Sequence, residues 1–384
     1  MPKRFLQFPI QFFISVTLIL VCTASYAGAP SPQPPKIPAK AWFLIDHNSK
    51  SVLAEHNADK SLPLASLTKL MTAYLLFEKL KAGKFKLSDP IKVSFKAWNT
   101  KGSRIFIRPE TWVIAEDLIK SMIVRSANDA TLALVEHVAA NEEEFVAEMN
   151  ARAQALGMNR TFFKNATGLD QAGHYSTARD ISRLASALIR DFPDHYKLFA
   201  IKEFTYNNIK QYNRNALLWR DKSVDGIKTG RTRSAGYCLI VSAKRDNMRL
   251  IAAVIGAKDE NGRVEAGRKL LDYGYRNFET RLLYAANDPA TMVRVWRGDG
   301  DELPLGVINN LYLTLPRGWH AKLRARLTVK DIQYAPIHYG QKIGTLSLDL
   351  DQEPFAEYPL VALKEVKVGN ILQRTIDNVR LWLQ

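Results

Sequence analysis

The sequence predicts an α+β protein, with a sheet covered by helices, a small all-β domain after it and an amphipathic helix at the end. Residues 237–242 and 250–255 are apolar runs joined by a polar turn, which indicates an antiparallel strand pair buried on both faces. Residues 112–157 carry apolar side chains at helical spacing. Beyond residue 284 the apolar residues alternate with period two, which is typical of strands with a solvated face.

The first 27 residues have the order of a secretory signal peptide. Lys3 and Arg4 precede an apolar stretch, and small residues follow up to Ala27, after which we expect cleavage. The alternative is a retained signal anchor, although the apolar stretch is short for a membrane span. Cleavage would remove Cys22 and leave Cys238 as the only cysteine, which its apolar surroundings predict to be a buried core thiol.

A proline-rich linker at residues 28–40 is expected to be extended and solvated. It leads into a region at 41–283 that carries the candidate chemistry. The other elements predicted there are a hairpin of strands 41–46 and 51–55 and helices over 66–80, 178–190 and 265–278.

Residues 284–366 are predicted to form the small, sandwich-like β domain, and 367–384 the terminal helical segment. The alternating runs are 311–315, 323–329 and 346–350. A helix from residue 371 to 384 would be only ~21 Å long, too short to span a bilayer. Its apolar face (Leu372, Thr375, Ile376, Val379, Trp382, Leu383) could lie flat on a membrane or pack on its own domain.

The chain is basic, with 54 Lys and Arg against 38 Asp and Glu and a net charge of +16. These residues are dispersed and accompany no RNA-binding signature or zinc finger. This distribution favours an anionic lipid surface or polymer as the partner, and we expect no nucleic-acid binding.

Three short motifs follow one another along the chain: Ser66-Leu67-Thr68-Lys69, Ser126-Ala127-Asn128 and Lys228-Thr229-Gly230. Together they supply a serine nucleophile, a lysine base, a second Ser/Asn pair and a cationic strand. These are the parts of an acyl-transfer site that needs neither histidine nor metal. Each motif alone also has an ordinary structural interpretation.

Ser66 and Lys69 are three residues apart, so on a helix their side chains share a face. Lysine acts as a base only when its pKa falls, through burial or a nearby positive charge that Lys228 could supply. An amphipathic helix start is the structural alternative for this motif. Ser126 or Asn128 could instead cap a helix, and 228–230 could be an ordinary turn into a strand.

The ordered motifs resemble those of the penicilloyl serine transferases, namely the penicillin-binding proteins and the serine β-lactamases. The resemblance to low-molecular-mass D-alanyl-D-alanine carboxypeptidases covers nearly the whole mature chain. It rests also on the stretches 125–130, 165–170, 173–180, 213–215 and 269–280. It implies a β-lactamase-like catalytic domain, with the β domain and a membrane-anchoring helix behind it.

The resemblance also implies the roles of individual residues. Ser66 would attack the peptide bond between two terminal D-alanines of a peptidoglycan stem peptide, with Lys69 as base. The backbone N–H groups of Ser66 and Arg231 would form the oxyanion hole. The remaining site residues are Ser126 and Lys228 for proton relay, Asn128 for the substrate amide, and Thr229 with Arg263 for the terminal carboxylate. Gly230 is a further substrate-binding position, where the absence of a side chain lets a ligand approach the strand edge closely.

The same resemblance implies covalent inhibition by β-lactams, a role in cell wall biogenesis and cell shape, and a peripheral location on the periplasmic face of the inner membrane. Arg231 departs from the family, which commonly has histidine or an apolar residue there. We expect no cofactor and no metal, since the seven histidines are dispersed and Glu136-His137 lacks a second histidine at ligand spacing. The sequence does not indicate an oligomeric state.

Three rival functions use the same motifs. A class A β-lactamase needs a glutamate near position 162, where the chain has Thr161, Phe162 and Phe163. A transpeptidase or endopeptidase would use the same catalytic side chains, and the appended β domain and helix favour the carboxypeptidase. A catalytically silent wall-binding protein is disfavoured because all the motif side chains are present.

Overall fold

The computed structural model describes residues 32–329 and 332–383, so the predicted signal peptide lies outside the described residues. The α-helices within these ranges are α1 (Lys69–Lys81), α2 (Phe95–Trp98), α3 (Ala115–Lys120), α4 (Asn128–Val138), α5 (Glu142–Ala155), α6 (Ala178–Asp191), α7 (Pro193–Tyr196), α8 (Leu217–Arg220), α9 (Glu260–Asn277) and α10 (Ile371–Trp382). A 3-10 helix at Ala65–Thr68 precedes α1, and a π-helical turn at Ser121–Arg125 follows α3.

The β-strands within the same ranges are β1 (Ala41–Asp46), β2 (Val52–His56), β3 (Pro90–Lys92), β4 (Trp112–Ile114), β5 (Glu203–Tyr206), β6 (Ile209–Tyr212), β7 (Val224–Thr232), β8 (Gly236–Arg245), β9 (Met248–Ala257), β10 (Phe278–Tyr284), β11 (Pro289–Trp296), β12 (Glu302–Gly306), β13 (Leu311–Pro316), β14 (Leu323–Val329), β15 (Gln333–Tyr334), β16 (Lys342–Leu350) and β17 (Glu353–Ala362).

A five-stranded antiparallel sheet in the order β2-β1-β9-β8-β7 carries the first domain. Alternate side chains of β8 enter two separate cores. Ile240 joins the larger core, which includes α1, α4 and α6, whereas Leu239 and Val241 join the core beneath α8 and α9. The prediction of a strand pair buried on both faces is confirmed, and Cys238 lies in it fully buried. Strand β7 is left at an edge of the sheet.

The helix predicted over 265–278 is displaced, because α9 begins at Glu260. Asp259 caps it by accepting a hydrogen bond from the Gly262 backbone N–H at 2.7 Å. Glycine has a low helix propensity and contributes no side chain to an apolar pattern, so the first turn is hidden in the sequence. The earlier start places Arg263 on the helix.

The linker prediction is wrong in one respect: the described part of the linker is not fully solvated. Ile37 and Ala39 are partly buried against the core beneath α9. The Tyr273 hydroxyl donates a hydrogen bond to the Pro32 carbonyl at 2.7 Å. Alternate side chains of this extended segment, Ile37 and Ala39, therefore pack against the core between the sheet and α9.

The second domain consists of a six-stranded sheet, β14-β16-β17-β12-β11-β15, and a two-stranded ribbon of β10 and β13. A tight hairpin joins β16 to β17, with Asp351 and Gln352 at positive φ. Since β10 pairs with β13, the predicted boundary at residue 283 falls within a strand of the β domain.

The terminal helix α10 faces its own domain with polar side chains. Asp377 accepts a hydrogen bond from the Arg297 backbone N–H at 2.6 Å, and Asn378 accepts one from Arg297 Nε at 2.8 Å. On the opposite face, Leu372 is 69% and Trp382 85% exposed. The alternative in which the apolar face packs on the domain is therefore not seen. None of the described helices combines the length and the apolar character that crossing a membrane requires.

Asp46, at the end of β1, joins the two domains. It is fully buried and accepts hydrogen bonds from the Ser49 backbone N–H at 2.7 Å and from the Thr280 hydroxyl of β10 at 3.1 Å. The Ser49 hydroxyl in turn lies 2.6 Å from that of Thr314 on β13. Burial raises the pKa of Asp46, because it outweighs the opposing effect of these hydrogen bonds.

Substituting Thr280→Val should destabilise the chain by about 1–3 kcal/mol, because it removes a donor from a buried carboxyl group. Urea unfolding at neutral pH measures this. The matched control is Thr328→Val on the exposed side of β14, which we expect to change stability by less than about 0.5 kcal/mol. Equal effects of the two substitutions would contradict a stabilising role of the hydrogen bond between Thr280 and Asp46.

Candidate active site

Ser66 lies in the 3-10 helix before α1 and lines a cleft at the edge of the sheet. The predicted α-helix begins three residues later, at Lys69. In a 3-10 turn, residues three apart are eclipsed, so Lys69 lies directly against the serine. The distance from Lys69 Nζ to Ser66 Oγ is 3.3 Å.

The Lys69 side chain is 1% exposed and has no carboxylate partner within the described part of the chain. Instead, its Nζ donates hydrogen bonds to Asn128 Oδ1 and to the Thr167 carbonyl oxygen, both at 2.6 Å. Three chain segments therefore converge on one amino group. Two neutral acceptors satisfy its N–H groups without stabilising a positive charge as an anion would.

Burial, and after it the charge of Arg214, lowers the pKa of Lys69 to about 7. The cation that lowers this pKa is Arg214, whereas the sequence suggested Lys228 as a possible source of the charge. Lys228 is itself buried, and burial followed by the charge of Lys69 lowers its own pKa well below the ordinary value. Once Lys228 loses its proton, it carries no charge that could lower the pKa of Lys69. Arg214 stays charged, so it is Arg214 that lowers the pKa of Lys69.

Ser126 ends the π-helical turn in the left-handed conformation, with φ of 61°. Its hydroxyl is buried, lines the cleft and has no hydrogen-bond partner among the described residues. Ala127 is the N-cap of α4, and no side chain caps this helix. The helix-cap alternative for the second motif therefore does not hold, and the backbone instead directs Ser126 towards the cleft.

Asn128, the first residue of α4, connects Lys69 to the loop at 101–107. Its Nδ2 donates a hydrogen bond to the Lys101 carbonyl at 2.6 Å. The buried Asp129 accepts hydrogen bonds from the backbone N–H groups of Ile105 and Phe106. This loop, which places Ser103 on the cleft wall, is thus fixed to the start of α4.

The third motif lies within the edge strand β7, and the free edge of such a strand can bind an extended peptide. Thr229 is 5% exposed and lines the cleft. The Lys228 Nζ donates one hydrogen bond within the described chain, to the Thr229 carbonyl oxygen at 3.2 Å. Lys228 and Ser126 thus both retain hydrogen-bonding capacity in the resting site.

Gly230 allows β7 to approach the Ser66 turn. A Cβ at this position would lie 2.9 Å from the Leu64 carbonyl oxygen and 3.1 Å from the Ser66 backbone nitrogen. Arg263 Nη1 donates to the Gly230 carbonyl at 3.3 Å, and its Nη2 lies 2.5 Å from Glu260 Oε1. The structure therefore places Arg263 beside the third motif.

The Arg231 side chain lines the cleft with its guanidinium 5.1 Å from the centre of the Tyr237 ring. Because β7 is an edge strand, part of its backbone N–H groups point away from the sheet. The cleft has a volume of about 110 Å³ and brings Ser66, Ser126 and Asn128 together with the third motif.

Thr167, Gly168 and Arg214 also line the cleft, and none of them is among the site residues predicted from the sequence. They lie in the stretches 165–170 and 213–215, which carried the family resemblance without individual roles. Arg214 Nη2 donates a hydrogen bond to Ser103 Oγ at 3.0 Å across the cleft. Long-range contacts of this kind have no local sequence signal.

His174 supports the Ser66 turn from behind. Its Nδ1 accepts a hydrogen bond from the Lys164 backbone N–H at 3.2 Å, so its Nε2 carries the proton and donates to Thr68 Oγ1 at 2.8 Å. Burial lowers the pKa of His174 to about 4. The described residues contain no group of three or more His, Cys, Asp or Glu side chains suited to holding a metal ion.

Substituting Gly168→Ala should destabilise the chain by at least about 3 kcal/mol and abolish acylation by a fluorescent penicillin. The added Cβ would lie 2.0 Å from the Ala65 carbonyl oxygen, and the φ of +82° is itself unfavourable for alanine. Thermal unfolding and gel fluorescence measure the two effects.

Gly173→Ala is the matched control, because Gly173 also has a positive φ, of +81°. Its Cβ would approach only the flexible end of Lys164, at 3.2 Å. We expect a loss of about 1 kcal/mol and unchanged labelling. Loss of labelling in both variants would contradict a specific role for the contact between Gly168 and Ala65.

Comparison with known proteins identifies the family. Residues 29–259 match the D-alanyl-D-alanine carboxypeptidase family, and residues 278–368 match the C-terminal domain of penicillin-binding protein 5. The chain is 42% identical to D-alanyl-D-alanine carboxypeptidase DacA of Escherichia coli K12 over 378 residues, which covers 94% of each chain. It is 41% identical to DacC of the same organism, over 96% of this chain and 94% of that one.

Solved structures agree with this similarity. Penicillin-binding protein 5 of Haemophilus influenzae superposes with a TM-score of 0.82 at 38% identity, over 88% of this chain and 99% of that one. Penicillin-binding protein D2 of Listeria monocytogenes, in an ampicillin-bound form, superposes with a TM-score of 0.56 at 32% identity. The superposition covers 64% of this chain and 100% of that one. The chain belongs to the D-alanyl-D-alanine carboxypeptidase family, in the group of low-molecular-mass penicillin-binding proteins.

Proposed function

We propose that this D-alanyl-D-alanine carboxypeptidase acts through an acyl-enzyme on Ser66, with Lys69 as the general base. The observation that carries this proposal is the environment of Lys69: a fully buried amine, a pKa lowered to about 7, and an Nζ 3.3 Å from the serine hydroxyl. At neutral pH a large fraction of such a lysine is uncharged and able to accept a proton.

The two strong acceptors around Lys69 orient its lone pair. A neutral amine has two N–H groups, and Asn128 Oδ1 and the Thr167 carbonyl accept one each. The lone pair is left to face Ser66 Oγ. The serine proton then moves to Lys69 Nζ as Oγ bonds to the carbonyl carbon of the penultimate D-alanine.

The oxyanion formed in this attack needs donors that are already in place. Ser66 contributes its backbone N–H, which lies in the first turn of the 3-10 helix and so lacks an intrahelical partner. Arg231 contributes the second N–H, from the edge strand that Gly230 brings next to the Ser66 turn. Two preorganised donors stabilise charge that develops only in the transition state.

The leaving D-alanine needs a proton on its nitrogen when the C–N bond breaks. Ser126 and Lys228 supply this proton in a relay that returns it from Lys69. Asn128 holds the amide of the penultimate residue, while Thr229 and Arg263 bind the terminal carboxylate. A water molecule, deprotonated by Lys69, then hydrolyses the ester and releases Ser66.

The same serine reacts with β-lactams in this scheme. Penicillin-binding protein D2 of Listeria monocytogenes has been solved in an ampicillin-bound form, which supports this step. Opening of the lactam ring gives the same type of ester, and the attached leaving group hinders water. The product is therefore long-lived.

The rate of penicillin acylation should rise with pH and level off above about pH 7. Lys69 must be neutral to accept the proton, and its pKa is lowered to about 7, so the protonated, inactive form predominates below this pH. Stopped-flow acylation of the purified enzyme between pH 5 and pH 9 measures the profile.

Lys69→Arg should lower the acylation rate by a factor of about 10²–10⁴, because guanidinium stays protonated. Lys164→Arg is the control, because Lys164 is exposed and directly precedes the loop at 165–170. It should leave the acylation rate and its pH profile unchanged. A Lys69→Arg variant with the pH profile of the wild type would contradict the role of Lys69 as base.

We propose further that the mature protein is exported and that α10 binds it to the anionic surface of the inner membrane from the periplasmic side. The arrangement of α10 supports this, because hydrogen bonds to Arg297 hold its polar face while Leu372, Val379 and Trp382 are exposed. Such a helix can bury its apolar face in the headgroup layer and place Trp382 at the interface.

Removal of residues 371–384 should abolish sedimentation of the protein with phosphatidylglycerol-containing vesicles and leave penicillin labelling intact. The double substitution Leu372→Gln, Val379→Gln should weaken vesicle binding more than about tenfold. Arg380→Gln, on the polar face, should weaken it only about fivefold and only on anionic vesicles. Unchanged sedimentation of the truncated protein would contradict the proposal.

A further inference from the structure

A second cavity, of about 420 Å³, lies beside the catalytic cleft. Three arginines, Arg214, Arg231 and Arg263, line both cavities and form their common wall. The second cavity adds Arg125 together with the rings of Tyr212 and Tyr237. Four guanidinium groups therefore surround a space that the roles assigned above leave unused.

The cavity has an excess of positive charge. Among the described residues that line it, Glu260 is the only acidic one, and it forms an ion pair with Arg263 at 2.5 Å. Desolvation, and after it the charges of Arg125 and Arg263, lowers the pKa of Arg214, as expected for cations crowded together. Arginines held this closely without matching carboxylates create a strongly positive potential that attracts anions.

Hydrogen bonds within the described chain do not use all of this donor capacity. The Nε atoms of Arg125 and Arg263 are buried and unpartnered among the described residues. Arg263 is 4% exposed, and both it and Arg231 stack on the Tyr237 ring, at 5.5 and 5.1 Å from its centre. The Tyr237 ring holds these two guanidinium groups in place, and Arg125 lines the same cavity from the end of the π-helical turn.

The cavity lies on the side of the scissile bond where the leaving residue, the C-terminal residue of the substrate, would bind. Thr229 and Arg263 are the groups assigned to the terminal carboxylate, and the cavity continues beyond Arg263 and Arg231. The single carboxylate of D-alanine needs one or two of these cations. A substituent on the leaving residue would extend into the remaining space.

We propose that this four-arginine cavity is a specificity subsite for a second negative charge on the leaving residue. The ligand class is a D-residue, joined through its nitrogen to D-alanine, that carries an additional carboxylate. The source could be a free chain end or a cross-bridge between two peptides, since both present the same chemistry. This inference rests on the proposed function, because it takes Ser66 as the point of bond cleavage.

The test compares two peptides that differ only in the leaving residue, one ending in D-Ala-D-Glu and the other in D-Ala-D-Gln. The two leaving residues have nearly the same shape and differ in charge. We expect kcat/KM to be about tenfold higher for the D-Glu peptide, from charge-assisted hydrogen bonds to the subsite. The ratio should fall as salt is added.

Arg125→Gln should lower the D-Glu to D-Gln ratio about fivefold and leave kcat/KM for the D-Gln peptide within about twofold. Arg233→Gln removes the same charge from the turn after β7, outside the cavity, and should not change the ratio. A ratio near one in the wild type, or a ratio unaffected by Arg125→Gln, would overturn the subsite.

A measurement on the wild type alone keeps the inference testable if a variant misfolds. Free D-glutamate should slow acylation by fluorescent penicillin at concentrations where D-glutamine does not, and equal effects of the two amino acids would count against the subsite. A peptide ending in D-Ala-D-Ala separates the two proposals. Loss of D-alanine release from it would overturn the proposed function, whereas normal release with a ratio near one would overturn only the subsite.

Discussion

The site depends on the burial of Lys69 without an opposing carboxylate. An ammonium group in this position would lose its hydration and gain only neutral acceptors, so the uncharged form is favoured. Asn128 and Thr167 supply these acceptors from two different chain segments. Because each acceptor must lie within 2.6 Å of one atom, the start of α4 and the loop at 165–170 are positioned together with α1.

The same convergence explains why two glycines lie around the Ser66 turn. Gly168 lies against the Ala65 carbonyl from one side, and Gly230 lies against the Leu64 carbonyl and the Ser66 nitrogen from the other. Backbone therefore packs on backbone at both contacts, with no space for a side chain. The 3-10 helix, the loop and the edge strand form one rigid unit that holds the nucleophile, the base and the edge strand in register.

The parts of this arrangement that the sequence predicts are those with a local pattern. The hairpins, the strand pair β8–β9 and the relation between Ser66 and Lys69 depend on residues close in the chain. The start of α9 was predicted too late because Gly262 interrupts its first turn. Arg214 was missed because it lies far in sequence from the lysine whose pKa it lowers, and only the folded chain brings them together.

The cations of the cleft link substrate binding to the strength of the base. In the resting enzyme, burial and the charge of Arg214 lower the pKa of Lys69 to about 7, so that a large fraction of the amine is neutral at neutral pH. A carboxylate bound beside Arg263 would offset part of that positive potential and raise the pKa of both lysines. Lys69 would then bind the serine proton more strongly when substrate is present than when the cleft is empty. The positive charge thus has two effects: it attracts the anionic peptide, and it increases the fraction of Lys69 that is deprotonated in the empty cleft.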